Sequence, residues 1–286
     1  MSWSNYHGHS FYCDGRKAPE EYIPAALEQG MKIIGFSCHA PVPFETGWTM
    51  PKDKLPQYLL DIEQLQSKNF NGLLVLKSLE VDYIPDIAGP LHPDILSAKL
   101  DYVVGSIHYV DQFPSGQHWS IDNSNEEFEQ GIAEVFNGNV KSAVTRYFHL
   151  QMEMLRYQPP SIIGHMDKIR MHNVVKQHFN EDDDWYVELV RETMLMAKDK
   201  NVIVEINTKY FAKNGLLFPD HKHFKWMFEN DIPVTINSDA HDPEKLTSGF
   251  SQVAKLLMEA GYTRLMEWKD GKFIPMPFNE KGIKWE

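Results

Sequence analysis

Cysteine is almost missing from this chain: its 286 residues include two, Cys13 and Cys38. Two thiols exclude a disulfide framework, and a chain this long can bury a sizeable core without covalent staples. Each is expected to be a small buried thiol, and each sits directly beside a polar residue singled out below, Asp14 and His39. Long apolar runs are missing too. None approaches the roughly 20 residues that a membrane span needs, and the N-terminus lacks the basic segment and apolar core of a secretory signal. A reduced cytoplasmic location is the default. Positive charge is scarce: 28 Lys and Arg face 40 Asp and Glu, a formal charge of −12. Such a surface repels nucleic-acid phosphates and anionic lipid, while leaving room for a local basic pocket that takes a small anion. No repeat of fixed period and no low-complexity tract interrupts an otherwise ordinary globular composition.

What the chain does have is alternation. Seven short apolar segments read as strands: "WSNYHGHS", "MKIIGFSCHA", "LLVLKSLEVDYI", "LDYVVGSIHYV", "SIIGHMDKI", "NVIVEINTKYF" and "IPVTINSDAH". Several are nearly continuous β-branched runs, as parallel strands buried on both faces require. Amphipathic helical patterns lie between them, including "PEEYIPAALEQG", with Pro19 at its start and Gly30 at its end. Strands alternating with helices predict an α/β protein with a parallel sheet, and seven such units fit a closed or nearly closed barrel. Residues 1–286 read as one domain, with a helical insertion around 111–160.

The polar residues fall at informative places. In six of the seven segments the apolar run ends at histidine, aspartate or glutamate: His7 and His9, His39, Glu80, His108, His165, and Asp239 with His241. Asp14 follows closely on the first pair. Only "VEINTK" lacks an obvious candidate ligand. In parallel α/β barrels the C-terminal strand ends converge on one face, so residues far apart in sequence meet there. Six imidazoles and three carboxylates in one cavity are most simply stabilised by divalent cations, and zinc, iron and manganese all suit such ligands. Nine ligands are too many for one ion, which predicts a multinuclear site with Glu80 as the bridge. The remaining histidines carry less. His221 and His223 are two apart on a helical pattern, do not share a face, and read as solvated surface. His92, His149, His172 and His178 read as structural or exposed, and His118 lies in a loop that could overhang the site.

Taken in order, "YHGHS", "SCHAP", "LEVDY", "GSIHY", "GHMDKIR" and "NSDAHDP" resemble the PHP (polymerase and histidinol phosphatase) superfamily over residues 7 to 243, with most likeness to its histidinol-phosphate phosphatase branch. The resemblance implies a distorted (β/α)7 TIM-like barrel, with three divalent ions at the C-terminal ends of its strands. It assigns His7, His9, Asp239 and bridging Glu80 to one ion, Glu80, His108 and His165 to a second, and Asp14, His39 and His241 to a third. A carboxylate at position 14 makes that third site harder, which shifts the expected metal mix away from zinc alone.

The implied chemistry is hydrolysis of a small phosphomonoester, L-histidinol phosphate above all, with no nucleic-acid or membrane partner. Asp239 or His241 is expected to relay a proton to the departing alkoxide. Arg170 and Lys209 are expected to grip the phosphate, Arg170 through its bidentate fork. Asp111 and Glu45 are candidate partners for the substrate's ammonium. Two alternatives stand beside this reading: a PHP phosphoesterase with another small ester as substrate, and a metal-binding protein without turnover.

Overall fold

A computed structural model describes residues 1–285, and its centre is a ring of parallel strands. Strand β1 (Ser4–Asn5) pairs with β2 (Ile33–Phe36), and β2 pairs with β3 (Leu74–Lys77). After two residues the chain resumes as β4 (Glu80–Asp82), which pairs with β5 (Val104–Ser106). An antiparallel hairpin, β6 (Tyr109–Gln112) and β7 (His118–Ser120), follows. Then β8 (Ile162–Ile163) joins β5, β9 (Ile203–Asn207) joins β8, and β10 (Val234–Asn237) joins β9.

Two single-residue parallel bridges complete the circle. One links His39, beyond β2, to Glu80; the other links Gly8, beyond β1, to Ala240, beyond β10. At the second, His9 N donates to Ala240 O at 2.8 Å and Ala240 N donates to His7 O at 3.2 Å. With β3 and β4 counted as one broken strand, seven positions form the barrel wall, the distorted (β/α)7 arrangement that the sequence predicts. The break at Ser78 and Leu79 is its distortion. Strands such as β9, "IVEIN", and β10, "VTIN", are buried along their whole length, because the barrel interior covers one face and helices cover the other.

The helices are α1 (Pro19–Glu28), α2 (Leu55–Gln66), α3 (Pro93–Ser97), α4 (Asn125–Val135), α5 (Val140–Tyr157), α6 (Asp184–Asp199), α7 (Phe211–Asn214), α8 (Phe224–Glu229) and α9 (Phe250–Ala260). Pro19 opens α1, and Glu21 accepts a hydrogen bond from Ala18 N at 3.1 Å. The expected helical insertion at 111–160 has a different make-up. It begins as the β6–β7 hairpin, and its helical part is cut in two where Asn137 and Gly138 take positive φ. Helix α5 packs on α6 and leads into β8, so it serves as the barrel's own crossover; β6, β7 and α4 are the additions.

The far end of the barrel carries an element outside the strand–helix alternation. After α9 the chain forms an antiparallel meander, β11 (Arg264–Lys269), β12 (Lys272–Asn279) and β13 (Gly282–Ile283). Its first turn is Asp270-Gly271, both with positive φ, a pair that favours a tight hairpin and is visible in the sequence. Met266, Trp268 and Phe273 pack against Tyr6, Ile33, Tyr102 and Ile203, closing the end where the strands begin. Within this plug Glu267 is buried and accepts hydrogen bonds from Ser4 Oγ and, at 2.6 Å, from Tyr6 Oη.

Burial pushes the Glu267 carboxyl up to about 7, against the lowering effect of those two hydroxyls. A folded-state value above the unfolded one means that the folded protein binds the extra proton. The stabilisation is therefore full below the unfolded value and is lost as pH rises through about 7. Unfolding in urea should cost less at pH 8 than at pH 5 by about 3 kcal/mol from this group, and Glu267→Gln should flatten that slope. An unchanged slope in the variant would assign the pH dependence to other groups.

Candidate active site

All nine strand-end candidates meet at the C-terminal mouth of the barrel. Glu80, one per cent exposed, lies at their centre. Its Oε2 is 3.1 Å from His7 Nε2, 3.5 Å from His9 Nε2 and 3.0 Å from His39 Nδ1. Its Oε1 is 2.9 Å from His165 Nε2 and 3.5 Å from His108 Nε2. Five imidazoles thus share one carboxylate. Asp239 Oδ1 is 3.1 Å from His9 Nε2, and its backbone takes φ +49°, a left-handed conformation that aspartate tolerates better than most residues and that often marks functional positions. On the outer side Asp14 Oδ2 is 3.1 Å from His241 Nε2, and Asp14 Oδ1 lies 3.8 Å from His39 Nε2.

Such packing has a physical consequence. His7 Nε2, His9 Nε2, His39 Nδ1, His108 Nε2 and Glu80 Oε2 are buried without an aligned hydrogen bond among the described residues. Orphaned lone pairs of this kind are costly, and a cation satisfies them together. Four groups of donors lie close enough to share an ion: His9, Asp14, His39 and His241; His7, His165 and Asp239; His7, His9 and Glu80; His39, Glu80 and His108. The outer group contains the trio expected together, with His9 added. His165 falls with His7 and Asp239 rather than with His108.

The charges interlock. Burial opposes ionisation of Glu80, but His39, His7 and His108 hold its carboxyl well below the usual range. For Asp239 burial is outweighed by Lys209, His7 and His9. Burial also disfavours the charged form of His7, yet Glu205, Glu80 and Asp239 lift it well above the ordinary imidazole value. His9 moves the other way, lowered by burial and then by His241 and His39. His108 rises to about 9, because Asp82, Asp122 and Glu80 outweigh its burial.

Behind the cluster lies a layer of residues that the strand-end pattern did not flag. Glu205, in the strand read as lacking a ligand, is completely buried and takes four hydrogen bonds. His7 Nδ1 (2.7 Å) and Asn237 Nδ2 (3.0 Å) reach its Oε1; His165 N (2.8 Å) and Asn207 Nδ2 (3.0 Å) reach its Oε2. It fixes the proton of His7 on Nδ1 and leaves Nε2 facing Glu80. Asp82 does the same for His108, 2.9 Å from its Nδ1. Ser106 Oγ donates to Glu80 Oε1 at 2.6 Å, and a β-carbon at Gly164 would stand 2.5 Å from that hydroxyl. The two thiols are here as well: Cys38 is fully buried, while half-buried Cys13 has its Sγ 3.4 Å from His9 Nδ1.

A family model described as the PHP domain matches residues 5–209. The chain belongs to the PHP domain family. A Schizosaccharomyces pombe protein named "Probable histidinol-phosphatase" is 26% identical over 277 residues, covering 92% of this PHP chain and 87% of its own. Among solved structures, a Listeria monocytogenes protein provisionally named histidinol phosphatase superposes with a TM-score of 0.72 at 22% identity, over 87% of this chain and 99% of that one. The Lactococcus lactis histidinol phosphate phosphatase, solved with zinc, L-histidinol and phosphate, gives 0.69 at 18% identity over 99% of both chains. At these identities the likeness establishes the fold.

The structure divides the two cations expected to hold phosphate. Lys209 Nζ reaches the cluster, donating to Asp239 Oδ1 at 3.1 Å and lying 3.3 Å from His241 Nε2. Arg170 does not present a free fork. Its Nε binds Glu181 (2.6 Å), one terminal nitrogen binds Leu217 O (3.1 Å), and the other binds Asp220 (2.6 Å). Two residues earlier, Lys168 is buried, paired with Asp122 Oδ2, and close enough to Asp239 and Glu80 to feel both charges. His223 also departs from its expected solvated position: it is three per cent exposed, whereas the His221 side chain remains 59% exposed. The segment enters α8 through a short 3-10 turn, so the two rings face apart.

Arg170→Ala should therefore act on stability. Breaking a mostly buried ion-pair network costs about 3 kcal/mol, seen as a lower melting temperature, while KM for a phosphoester stays within about threefold. A KM rise of tenfold or more, with stability kept, would put the guanidinium on the substrate after all.

Proposed function

We propose that this chain is a metal-dependent phosphomonoester hydrolase and that its substrate is L-histidinol phosphate. The observation that carries the reading is the convergence of six imidazoles and two further carboxylates on the cluster centred at Glu80, with buried ring nitrogens left unpaired, in a chain of the PHP family. The ligands are His7, His9, Asp14, His39, Glu80, His108, His165, Asp239 and His241, and the donor set suits zinc, iron or manganese, three ions in all. Bound there, divalent ions supply Lewis-acid charge for the phosphoryl oxygens and lower the pKa of water toward neutrality.

The chain's own groups do the rest. Lys209, with Arg16 and Lys245, lines a cavity of about 200 Å³ beside Asp239 and His241, a cationic wall for a phosphate. Lys168, held by Asp122, brings a second ammonium to the same charge cluster. Asp239 and His241 both sit at the edge of the cluster, where they can pass a proton to the alkoxide that leaves. Glu205 and Asp82 hold the Nδ1 protons of His7 and His108, so the inward-facing Nε2 is the nitrogen that gives up its proton when an ion binds.

The experiment is metal analysis of purified protein, combined with phosphate release from L-histidinol phosphate before and after chelation. Two or three ions per chain, with release that chelator stops and metal restores, supports the reading. Bound metal without release would remove the substrate and keep the site. Protein that neither binds nor responds to zinc, iron or manganese would overturn it.

A further inference from the structure

We infer that the chain holds a second ligand site behind the strand-end cluster, one that takes a small primary ammonium on a compact apolar body and acts on the cluster through Asp82. The site is a cavity of about 160 Å³ between the loop that follows β2 and the loop that follows β4. Val42, Leu55, Val81, Ile87 and Ile95 give it apolar walls. None of the proposed metal ligands lines it, so it is distinct from the mouth where the ester is placed. Its volume is close to the ~150 Å³ in which an apolar protein cavity accommodates benzene. Lys52 and Asp94 also line it, but both are exposed and already paired with each other at 2.9 Å.

Asp82 is the polar group that gives the cavity its selectivity. It lines the cavity and is only three per cent exposed. Its Oδ1 takes both hydrogen bonds from His108, N at 3.0 Å and Nδ1 at 2.9 Å, while its Oδ2 has no hydrogen-bond partner among the described residues. A buried carboxylate oxygen without a donor is costly, and an ammonium is the donor that also neutralises its charge. The apolar walls beside that oxygen favour an ammonium carried on an apolar body over a small hydrated cation. Occupancy also changes what His108 receives. A carboxylate on Nδ1–H makes the opposite ring nitrogen a better metal ligand, and an ammonium on Oδ2 draws charge from that same carboxylate. His108 then holds an ion less firmly, and by linkage the metal-loaded chain binds the amine more weakly by the same factor.

The test titrates the full chain, metal-free and zinc-loaded, by calorimetry with benzylamine, benzyl alcohol and methylamine. No ester is present, so the result is independent of the phosphatase reading. Benzylamine should bind at one site per chain, about tenfold tighter than benzyl alcohol, which lacks the charge, and than methylamine, which lacks the ring. Asp82→Asn should erase the preference for the amine, because asparagine can keep its oxygen on His108 and then turns an amide N–H into the cavity. Val42→Phe and Ala88→Leu add volume from the two loops, and each should weaken benzylamine by about tenfold or more. Either filler suffices if the other fails to fold. Saturating benzylamine should speed zinc transfer to a chelator by about fivefold, an effect that Ala88→Leu lacks. No benzylamine binding, or binding that the fillers and Asp82→Asn leave unchanged, overturns the site; the amine would then lie on the strand-end cluster or on the outer surface. One bound amine with zinc transfer unaltered would overturn the link through Asp82.

Discussion

Glu80→Gln will lower phosphate release from L-histidinol phosphate by at least about 10³-fold, and the purified variant will carry fewer metal ions than its parent. Five ring nitrogens lie within 3.5 Å of this one carboxylate, and among the described residues no other group reaches as many parts of the cluster. Glutamine keeps the volume, so the fold survives. It removes the negative charge that draws cations in, and it turns an amide N–H toward atoms that are lone-pair donors. Metal content and kcat measured on the same preparation check this. A variant that keeps its metal and works within tenfold of the parent would show that Glu80 is not the centre of the site.

Glu205→Gln comes next in size, with a loss of about 10- to 100-fold in activity or metal affinity. All four of Glu205's neighbours are donors, and glutamine can accept on one side only. Its amide group must then oppose either His7 and Asn237 or His165 N and Asn207. The proton of His7 is no longer pinned to Nδ1, and the ring loses its aim. Restoring activity with raised metal concentration would support this positioning role; a loss that metal cannot restore, in a folded protein, would count against it.

The contrast between Glu80 and Glu205 shows which parts of this molecule could be read from residues alone. An apolar run that stops at a charged group is a one-dimensional signal, and the barrel's geometry turns it into a three-dimensional one by gathering the strand ends on one face. Glu80 belongs to that pattern, and so do the other eight. Glu205 lies inside its strand, and its only sequence sign is alternation: Glu205 and Asn207 are two apart and share a face, as do Glu80 and Asp82. Applied to every strand, that period would have found both supporting carboxylates.

Lys168 and Arg170 illustrate a different limit. Both follow His165 in the same short helical segment, and composition reveals two cations there without saying which one turns inward. The ion pairs with Asp122 on one side, and with Glu181 and Asp220 on the other, decide it, and those partners come from distant parts of the chain. The C-terminal meander escaped for a simpler reason. The alternation of strands and helices marks the barrel, and the Asp270-Gly271 turn lies outside that rhythm.

The seam between Gly8 and Ala240 joins residues 232 positions apart, and two backbone hydrogen bonds hold it beside His7, His9, Asp239 and His241. During folding, a contact between such distant segments pays a large loop-closure entropy before it returns any stability. Closing that seam is also what brings the proposed metal ligands from the two distant segments together. Metal retention is thus expected to report on ring closure as well as on the ligands themselves.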